Sequence, residues 1–330
     1  MRVGYGAWQR VGLATAIVVM TALFAVAGRA ESDYPQRPVR IILPYGPGGV
    51  ADVTTRLIAQ KLSERMGQNF FVDNRPGAGG IVAAKAALSF PADGYTLFLT
   101  GNGAAISESL FQSLPYNVER DFASISIFAK FDILLATKAD AQLDTVAKLV
   151  AFAKDNPGKL NFGAIAIGST QDLSAELFRM VTGINAAIVT FRTTPELVSA
   201  IVRGDVDVGF DYYAAFNPMV AAKQIKVVAV SGDAPDAALP GVPTVKSSGF
   251  PDYVVNSWNS LSAPAGIPND IVMKLNAGIR DALQLSDVRA TMASLGMEPW
   301  ASTPGELSQR LKADAEKWRQ VIEKAGIPKQ

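Results

Sequence analysis

Residues 39–52, Val-Arg-Ile-Ile-Leu-Pro-Tyr-Gly-Pro-Gly-Gly-Val-Ala-Asp, carry the strongest signal for the fold. A short β-branched run precedes a glycine-rich loop, and apolar residues then recur at helical spacing: Leu57, Ile58, Leu62 and Met66. This order of strand, loop and amphipathic helix is typical of the repeating unit of a parallel α/β sheet. We therefore expect the loop to lie at the carboxyl end of a strand, where such sheets bind their ligands.

The same alternation continues along the chain and predicts strands at residues 70–73, 95–100, 125–137, 160–163, 187–191, 206–210, 225–230 and 254–263. The long apolar run at 125–137 suits a strand that crosses between two lobes. Thr303, Pro304 and Glu306 form the pattern of a capped helix start near the C-terminus. We predict two α/β lobes, each a mainly parallel sheet flanked by helices. Residues 31–131 and 232–330 would form lobe 1, and residues 132–231 lobe 2.

The first thirty or so residues have the layout of a secretory signal peptide. Arg2 and Arg10 flank a basic start, an apolar run covers residues 11–27, and small residues offer cleavage after Ala27 or Ala30. A retained membrane anchor is the alternative, but a spanning helix needs about twenty apolar residues. We predict that residues 1–30 are a cleaved leader and that the protein is exported.

Composition excludes several classes of function. The leader holds three arginines and no acid, so its removal takes the formal net charge from +1 to −2. A chain with this charge lacks the basic excess that is typical of nucleic-acid-binding proteins. The chain has no Cys and no His, which removes thiolate chemistry, the commonest metal ligand and the usual general base at neutral pH. We expect no metal, no cofactor and no nucleic-acid partner.

The glycine-rich loop at residues 44–52 suits the binding of an anion. Gly48 and Gly49 allow positive φ angles, and the free amides of the following helical turn favour negative charge. It is not a nucleotide phosphate loop, because no Gly-Lys-Ser/Thr follows. The alternative is a strand-to-helix turn in which the glycines serve geometry and Asp52 is a cap or a first-turn acid.

A second loop repeats this design about 120 residues later. Ile167, Gly168, Ser169 and Thr170 follow a predicted strand and open a helix, with Asp172 in its first turn. Two such loops in successive α/β blocks would face each other across a cleft and clamp one anion. Polar residues also follow other strands: Asn102, Arg192, Asp211 and Tyr212. Of these, Arg192 is the candidate partner of a second carboxylate, and a surface arginine without a role in binding is the alternative that its sequence context favours.

An ordered set of motifs then resembles a known family. The set comprises YPQRPVR at 34–40, the loop at 44–52, VDNRPGAGG at 72–80, DGYT at 93–96, GDVD at 204–207, VPTV at 242–245 and APAGIP at 263–268. The chain resembles the periplasmic substrate-binding proteins of tripartite tricarboxylate transporters, also called Bug receptors, over essentially the whole mature sequence. The resemblance implies a two-lobed Venus-flytrap fold of the periplasmic binding proteins, type II-like, and a periplasmic location.

The resemblance also implies a function. Backbone amides of the two glycine loops would hold a small carboxylate, either a di- or tricarboxylate or an aromatic one, and the receptor would deliver it to a membrane permease. We expect a monomer without enzymatic turnover, and the alternative is a ligand sensor of the same fold that signals to a partner protein. The predicted ligand-binding residues are Tyr45, Gly46, Gly48, Gly49, Asp52, Asn102, Ile167, Gly168, Ser169, Thr170, Arg192, Asp211 and Tyr212.

Two positions depart from the family pattern. Members of the family often carry His where this chain has Asp172, and a Tyr-Lys-Gly run where this chain has Phe191, Arg192 and Thr193. Both positions are expected in the distal part of the pocket, so the group that meets the far end of the ligand stays open. An enzyme of this fold is a further alternative, but Asp52, Asp211 and Tyr212 have no evident nucleophile or base partner.

Overall fold

The computed structural model describes residues 33–165, 167–236 and 238–330. The predicted leader at residues 1–30, with its cleavage sites at Ala27 and Ala30, lies outside the described residues. Residues 37–330 form a unit of their own, separate from residues 1–36.

Ten strands and eleven α-helices are found among the described residues of this unit. The strands are β1 Val39–Leu43, β2 Phe70–Asn74, β3 Thr96–Gly101, β4 Phe122–Lys138, β5 Leu160–Ile165, β6 Ala186–Phe191, β7 Val208–Tyr212, β8 Ile225–Val230, β9 Asn256–Pro264 and β10 Glu298–Pro299. The helices are α1 Val50–Met66, α2 Ile81–Leu88, α3 Asn102–Leu110, α4 Val118–Asp121, α5 Val146–Asp155, α6 Thr170–Thr182, α7 Thr194–Arg203, α8 Tyr213–Ala221, α9 Asn269–Ala282, α10 Ser286–Ser294 and α11 Pro304–Ala325.

The strands pair in the order β2-β1-β3-β9-β4-β7-β5-β6, with β8 and β10 both on β4. The pairs of β1 with β2 and β3 are parallel, as are the pairs of β5 with β6 and β7. All antiparallel pairs involve β4 or β9. The sheet therefore has a parallel group of strands on each side, as the alternation of strands and helices predicts. The central strands β9 and β4 join them and are antiparallel to each other and to the neighbouring group.

Strand β4 contains the long apolar run at 125–137 and changes its partners along its length. Residues up to Asp132 pair with β9, and residues from Ile133 onward pair with β7 and β8. This change lies one residue beyond the predicted lobe boundary between residues 131 and 132, and the division into lobes stays a prediction. Seventeen residues are long enough to serve both parts of the sheet, so the two parts share one strand instead of a flexible linker.

The C-terminal helix packs on this central region. The predicted cap is confirmed, because Thr303 and Glu306 exchange side-chain and backbone hydrogen bonds in a capping box. Leu307, Leu311 and Trp318 are buried on one face of α11, and Trp258 of β9 donates from Nε1 to Asp314 Oδ2 at 2.7 Å. None of the helices in the described ranges is long and apolar enough to cross a membrane.

Candidate functional site

The two glycine loops have the same local geometry. Gly48 follows β1 and Gly168 follows β5, and each directly precedes the N-cap residue of the next helix. Their φ angles are +87° and +76°. Each glycine amide donates to Oδ2 of the aspartate four residues later, at 2.9 Å in both loops. These acceptors are Asp52 and Asp172, and both are buried. The positive φ angle requires glycine at both positions, because a Cβ atom would be strained there.

Of the two glycines that allow a positive φ, only Gly48 adopts one. Gly49 has φ and ψ of −79° and 170°, so it is extended and does not use the freedom that glycine offers. Gly49 is the N-cap of α1, and N-cap residues adopt the β region. Ser169, the N-cap of α6, has nearly the same angles, −70° and 163°.

The amides that are free to bind an anion belong to the first turns of α1 and α6. The Gly48 and Gly168 amides are not free, because they already donate to Asp52 and Asp172. The amides of residues 50–51 in α1 and residues 170–171 in α6 donate to no residue that the structure describes. Unsatisfied amides at a helix N-terminus attract negative charge.

Asp52 is fully engaged in holding the first loop. It accepts from Arg56 Nε at 3.0 Å and from Asn74 Nδ2 at 2.9 Å, in addition to the Gly48 amide. Asn74 also donates to the Tyr45 carbonyl at 3.0 Å, which ties the loop to β2. Burial alone would raise the pKa of Asp52, but the hydrogen bonds from Arg56, Gly48 and Asn74 outweigh it and lower the pKa. Asp52 thus serves the geometry of the loop.

Asp172 holds the second loop without a hydrogen-bonded cation. Burial raises its pKa to about 6, and the Gly168 amide opposes that shift only in part. Ser169 Oγ accepts from the Asp172 amide at 3.1 Å and donates to the Ile165 carbonyl, so the start of α6 is capped. The two loops therefore share a backbone design and differ in the charge around it.

Tyr45 and Tyr212 connect the two loops. The Tyr45 hydroxyl lies against the first turn of α3, because a Cβ at Gly103 would stand 2.6 Å from it. Burial raises the pKa of Tyr212, and an electrostatic interaction with Tyr45 adds to the shift. The Tyr212 hydroxyl interacts with Thr170 and lies 3.5 Å from Gln171 Oε1. Tyr212 thus interacts with residues of both loops, and Tyr45 and Tyr212 are called the tyrosine pair below.

Asp211 positions its neighbours. It is buried and accepts from Thr194 Oγ1 at 2.8 Å, Gln171 Nε2 at 3.1 Å and the Tyr212 amide at 2.9 Å. Burial raises the pKa of Asp211, because no hydrogen-bonded cation offsets the loss of water. With both oxygens occupied by donors of the chain, Asp211 orients Gln171 toward the tyrosine pair.

Asn102 also lies in this region. It is buried at the start of α3 and donates from Nδ2 to the Asn256 carbonyl at 3.1 Å. Ser257, the next residue, bonds the Tyr212 hydroxyl at 3.2 Å. Asn102 is therefore adjacent to the segment that supports Tyr212.

For three of the predicted residues, the structure gives no hydrogen bond to Tyr45 or Tyr212. Ile167 is exposed at the tip of the second loop, and Gly46 is half-buried in the first. Arg192 is exposed, and its amide donates to Glu196 Oε2 at 3.1 Å. Its guanidinium has no ion-pair partner among the residues the structure describes, and no contact brings it to the loops.

Sequence reasoning missed Gln171 and Ser257. Gln171 stands between two residues of the predicted second loop, and its place in the first helical turn was an available signal. Ser257 had no local signal, because only the pairing of β9 with β4 brings it beside Tyr212. Over residues 33–165, 167–236 and 238–330, no group of three or more Asp or Glu residues could hold a metal ion.

Comparison with known proteins identifies the family. A family model described as "Tripartite tricarboxylate transporter family receptor" matches residues 54–327. Among curated relatives, Protein BugT of Bordetella pertussis is 31% identical over 317 residues, which cover 95% of this chain and 97% of BugT.

Solved structures agree with the fold. R. palustris Rpa4515, solved with adipate, is 31% identical with a TM-score of 0.81, over 89% of this chain and 98% of that one. The periplasmic binding protein BugD is 25% identical with a TM-score of 0.79, over 90% of this chain and 100% of BugD. The fold is therefore the two-lobed α/β fold of periplasmic binding proteins, as the sequence motifs implied.

Proposed function

This chain belongs to the tripartite tricarboxylate transporter receptor family, and on that premise we propose that it captures a small carboxylate between its two glycine loops. The observation that carries the proposal is the pair of open helix N-termini at residues 50–51 and 170–171, which the tyrosine pair Tyr45–Tyr212 links. Unsatisfied amides at helix N-termini attract an anion without a cationic side chain, and two such termini could hold one carboxylate between them. The adipate in Rpa4515 supports the same class of ligand.

We further propose that the protein works in the periplasm as a receptor, without turnover, and passes its ligand to a membrane permease. Family receptors are periplasmic, and the family description names a transporter receptor. Asp52, Asp172 and Asp211 are each occupied by donors of the chain, which leaves no poised nucleophile and base. The residues of the site thus favour capture and release of an unchanged ligand.

Calorimetry on ligand-stripped protein tests the capture step. We expect one member of a panel of di-, tri- and aromatic carboxylates to bind with a stoichiometry of one and to be recovered unchanged. Failure of the whole panel to bind would refute the proposal. Loss of uptake on deletion of the gene, restored by the intact protein, would support transport, and an uptake that stays normal would favour the sensor.

Deletion of a single amide tests the site itself. Val50 is the first residue of α1, a position at which proline keeps the helix, and the extended Gly49 suits a following proline. The chain already uses this arrangement at Pro304, the first residue of α11. We expect Val50→Pro to weaken carboxylate binding by roughly tenfold or more, the scale of a hydrogen bond to a charged group.

The matched control for Val50→Pro is Ser286→Pro, at the exposed first residue of α10. Its N-cap, Leu285, is extended like Gly49, so the substitution removes an equivalent amide far from the loops. We expect the control to bind carboxylates as the unsubstituted protein does. Equal affinities of Val50→Pro and the control would place the anion elsewhere.

A further inference from the structure

Two side-chain amides near the tyrosine pair have oxygen atoms without a strong donor. Asn102 is 3% exposed, and its Oδ1 accepts no hydrogen bond from any residue that the structure describes. Gln171 Oε1 has only the 3.5 Å contact with the Tyr212 hydroxyl. That hydroxyl also bonds Ser257 Oγ at 3.2 Å, a contact in which either oxygen can donate. Gln171 Oε1 therefore has one long hydrogen bond and unused acceptor capacity, whereas Asn102 Oδ1 is a buried acceptor without a donor, which is rare and calls for an explanation.

The orientation of both amides is fixed by their nitrogen atoms. Asn102 Nδ2 donates to the Asn256 carbonyl, and Gln171 Nε2 donates to the Asp211 carboxylate, each at 3.1 Å. A backbone carbonyl and an ionised carboxylate accept hydrogen bonds and cannot donate them. A flip of either amide would set two acceptors against each other. The oxygen atoms must therefore face the opposite side, away from Asn256 and from Asp211.

The two amides stand on either side of one short segment. The Asn256 carbonyl and the Ser257 hydroxyl belong to consecutive residues at the start of β9. Asn102 bonds the first, and Tyr212, which contacts Gln171, bonds the second. Gln171 is in the first turn of α6, where the carboxylate is proposed to bind, and Asn102 is in the first turn of α3, against which Tyr45 of the first loop lies. The acceptors thus adjoin the carboxylate site.

The charges near these amides disfavour a second carboxylate. Asp211 lies behind Gln171, and Asp172 is buried in the same helical turn. Neither has a hydrogen-bonded cation, so both would repel a further negative charge. The Arg56 guanidinium is bonded to Asp52 and Asn74, and Arg192 is exposed beyond β6. The site therefore offers acceptors and negative charge where a dicarboxylate would need donors.

Resting on the proposed function, we infer that the preferred ligand carries a hydroxyl or ammonium group in addition to its carboxylate. Gln171 Oε1 accepts a hydrogen bond from that group, and Asn102 Oδ1 accepts a second one where the group is an ammonium. Asn102 and Gln171 would then determine specificity. A site built to bond a particular polar group rejects the analogue that lacks it, because its own polar atoms are left unpaired.

Calorimetry with two matched sets of ligands tests the inference on the full, ligand-stripped chain. One set is benzoate, para-hydroxybenzoate and terephthalate, and the other is butyrate, gamma-hydroxybutyrate with gamma-aminobutyrate, and succinate. We expect the hydroxyl or ammonium member of at least one set to bind about tenfold or more tighter than its parent. It should also bind tighter than the dicarboxylate of the same set.

Gln171→Met tests the role of the residue, with Gln320→Met on the exposed face of α11 as the matched control. We expect the affinity ratio between the substituted ligand and its parent to fall to about one in Gln171→Met and to persist in the control. A ratio preserved in Gln171→Met would overturn the role of Gln171. The ratio in the unsubstituted protein decides the ligand class even where a variant fails to fold.

The failures are distinguishable. Equal binding of parent and hydroxylated ligand, or tightest binding of the dicarboxylate, would overturn this inference and leave carboxylate capture intact. In that case, a loss of dicarboxylate binding in Arg192→Gln would show that Arg192 binds the second carboxylate. Absence of binding by every carboxylate tested would remove the proposed function as well.

Discussion

The first and second glycine loops are built on one backbone plan but held in different ways. In both, a glycine with positive φ donates its amide to an aspartate four residues later at 2.9 Å. Asp52 in the first loop is bonded to Arg56 and Asn74, which belong to its own side of the sheet. Asp172 in the second loop has no such cation.

The glycines of the two loops also differ in their surroundings. A Cβ at Gly168 would meet Leu110 of α3 at 2.2 Å, whereas a Cβ at Gly48 would meet nothing within 4 Å. The first loop is thus held by the ion pair of Asp52 with Arg56, and its glycine is open to solvent. The glycine of the second loop is instead enclosed by contact with α3.

The largest expected difference between the loops comes from adding one methyl group to each glycine. Gly48→Ala should lower the free energy of unfolding by about 1–2 kcal/mol, the cost of a left-handed backbone at a residue with a Cβ. Gly168→Ala should cost about 1–3 kcal/mol more, because the methyl group also overpacks against the buried Leu110. Denaturant unfolding of both variants measures the difference.

Two further variants separate strain from overpacking. Gly204 has a φ of +82° and open space around it, so Gly204→Ala reports the strain alone at a site far from the loops. Leu110→Ala should cost less in the Gly168→Ala background than in the unsubstituted protein, with a coupling of about 1 kcal/mol or more. Additive effects of the two substitutions would show that Gly168 and Leu110 are not in contact.

The comparison also shows which features the sequence could predict. The strand, glycine loop and helix at 39–66 and the capping box at Thr303 are local patterns, and both are confirmed. The antiparallel path of β9 between β3 and β4 is not local, because it follows a long connection without a helix of its own. Ser257 reaches Tyr212 only through that pairing, so the sequence offered no signal for it.

The sequence also does not show which charged groups surround the two loop aspartates. Asp52 and Asp172 occupy the same position in their loops, and nothing nearby in the sequence says that Asn74, on another strand, completes the partners of Asp52. In the same way, two adjacent glycines that both allow a positive φ do not reveal which one adopts it. The pairing of β1 with β2 determines the partner of Asp52, and the position of the helix N-cap determines the angles of Gly49.

Replacement by asparagine should change the free energy of unfolding differently at the two loop aspartates. At pH 7–8, Asp52→Asn should lower the free energy of unfolding by about 1–2 kcal/mol, because it weakens hydrogen bonds to a charged group. Asp172→Asn should be near neutral or stabilising at the same pH, because the amide can still accept from Gly168 and is less costly to bury than a carboxylate. Denaturant unfolding at fixed pH measures both.

The pH dependence of these two pairs should have opposite signs. The folded pKa of Asp172 is about 6, above its unfolded value of about 3.9, so stability relative to Asp172→Asn should fall as pH rises from about 4 through 6. The folded pKa of Asp52 is lowered, so its contribution should be present above about pH 3.9 and be lost as pH falls below that. Asp132, with a pKa raised to about 6 by burial, cancels in each difference. A flat difference for Asp172 between pH 4 and 6.5 would contradict its unpaired burial.

The smallest expected difference concerns the caps of the two helices. Ser169 caps α6 with its hydroxyl, whereas Gly49 leaves α1 without a side-chain cap. The two residues have nearly the same backbone angles, and a Cβ at Gly49 would meet nothing within 4 Å. Gly49→Ser should therefore stabilise the protein by a few tenths of a kcal/mol, and Ser169→Gly should destabilise it by at least as much, because Ser169 also bonds the Ile165 carbonyl. For a chain of this size, such changes correspond to roughly 1 °C in Tm, which scanning calorimetry resolves. If Gly49→Ser instead lowered Tm by several degrees, the first loop would not have the extended N-cap that makes it a counterpart of the second.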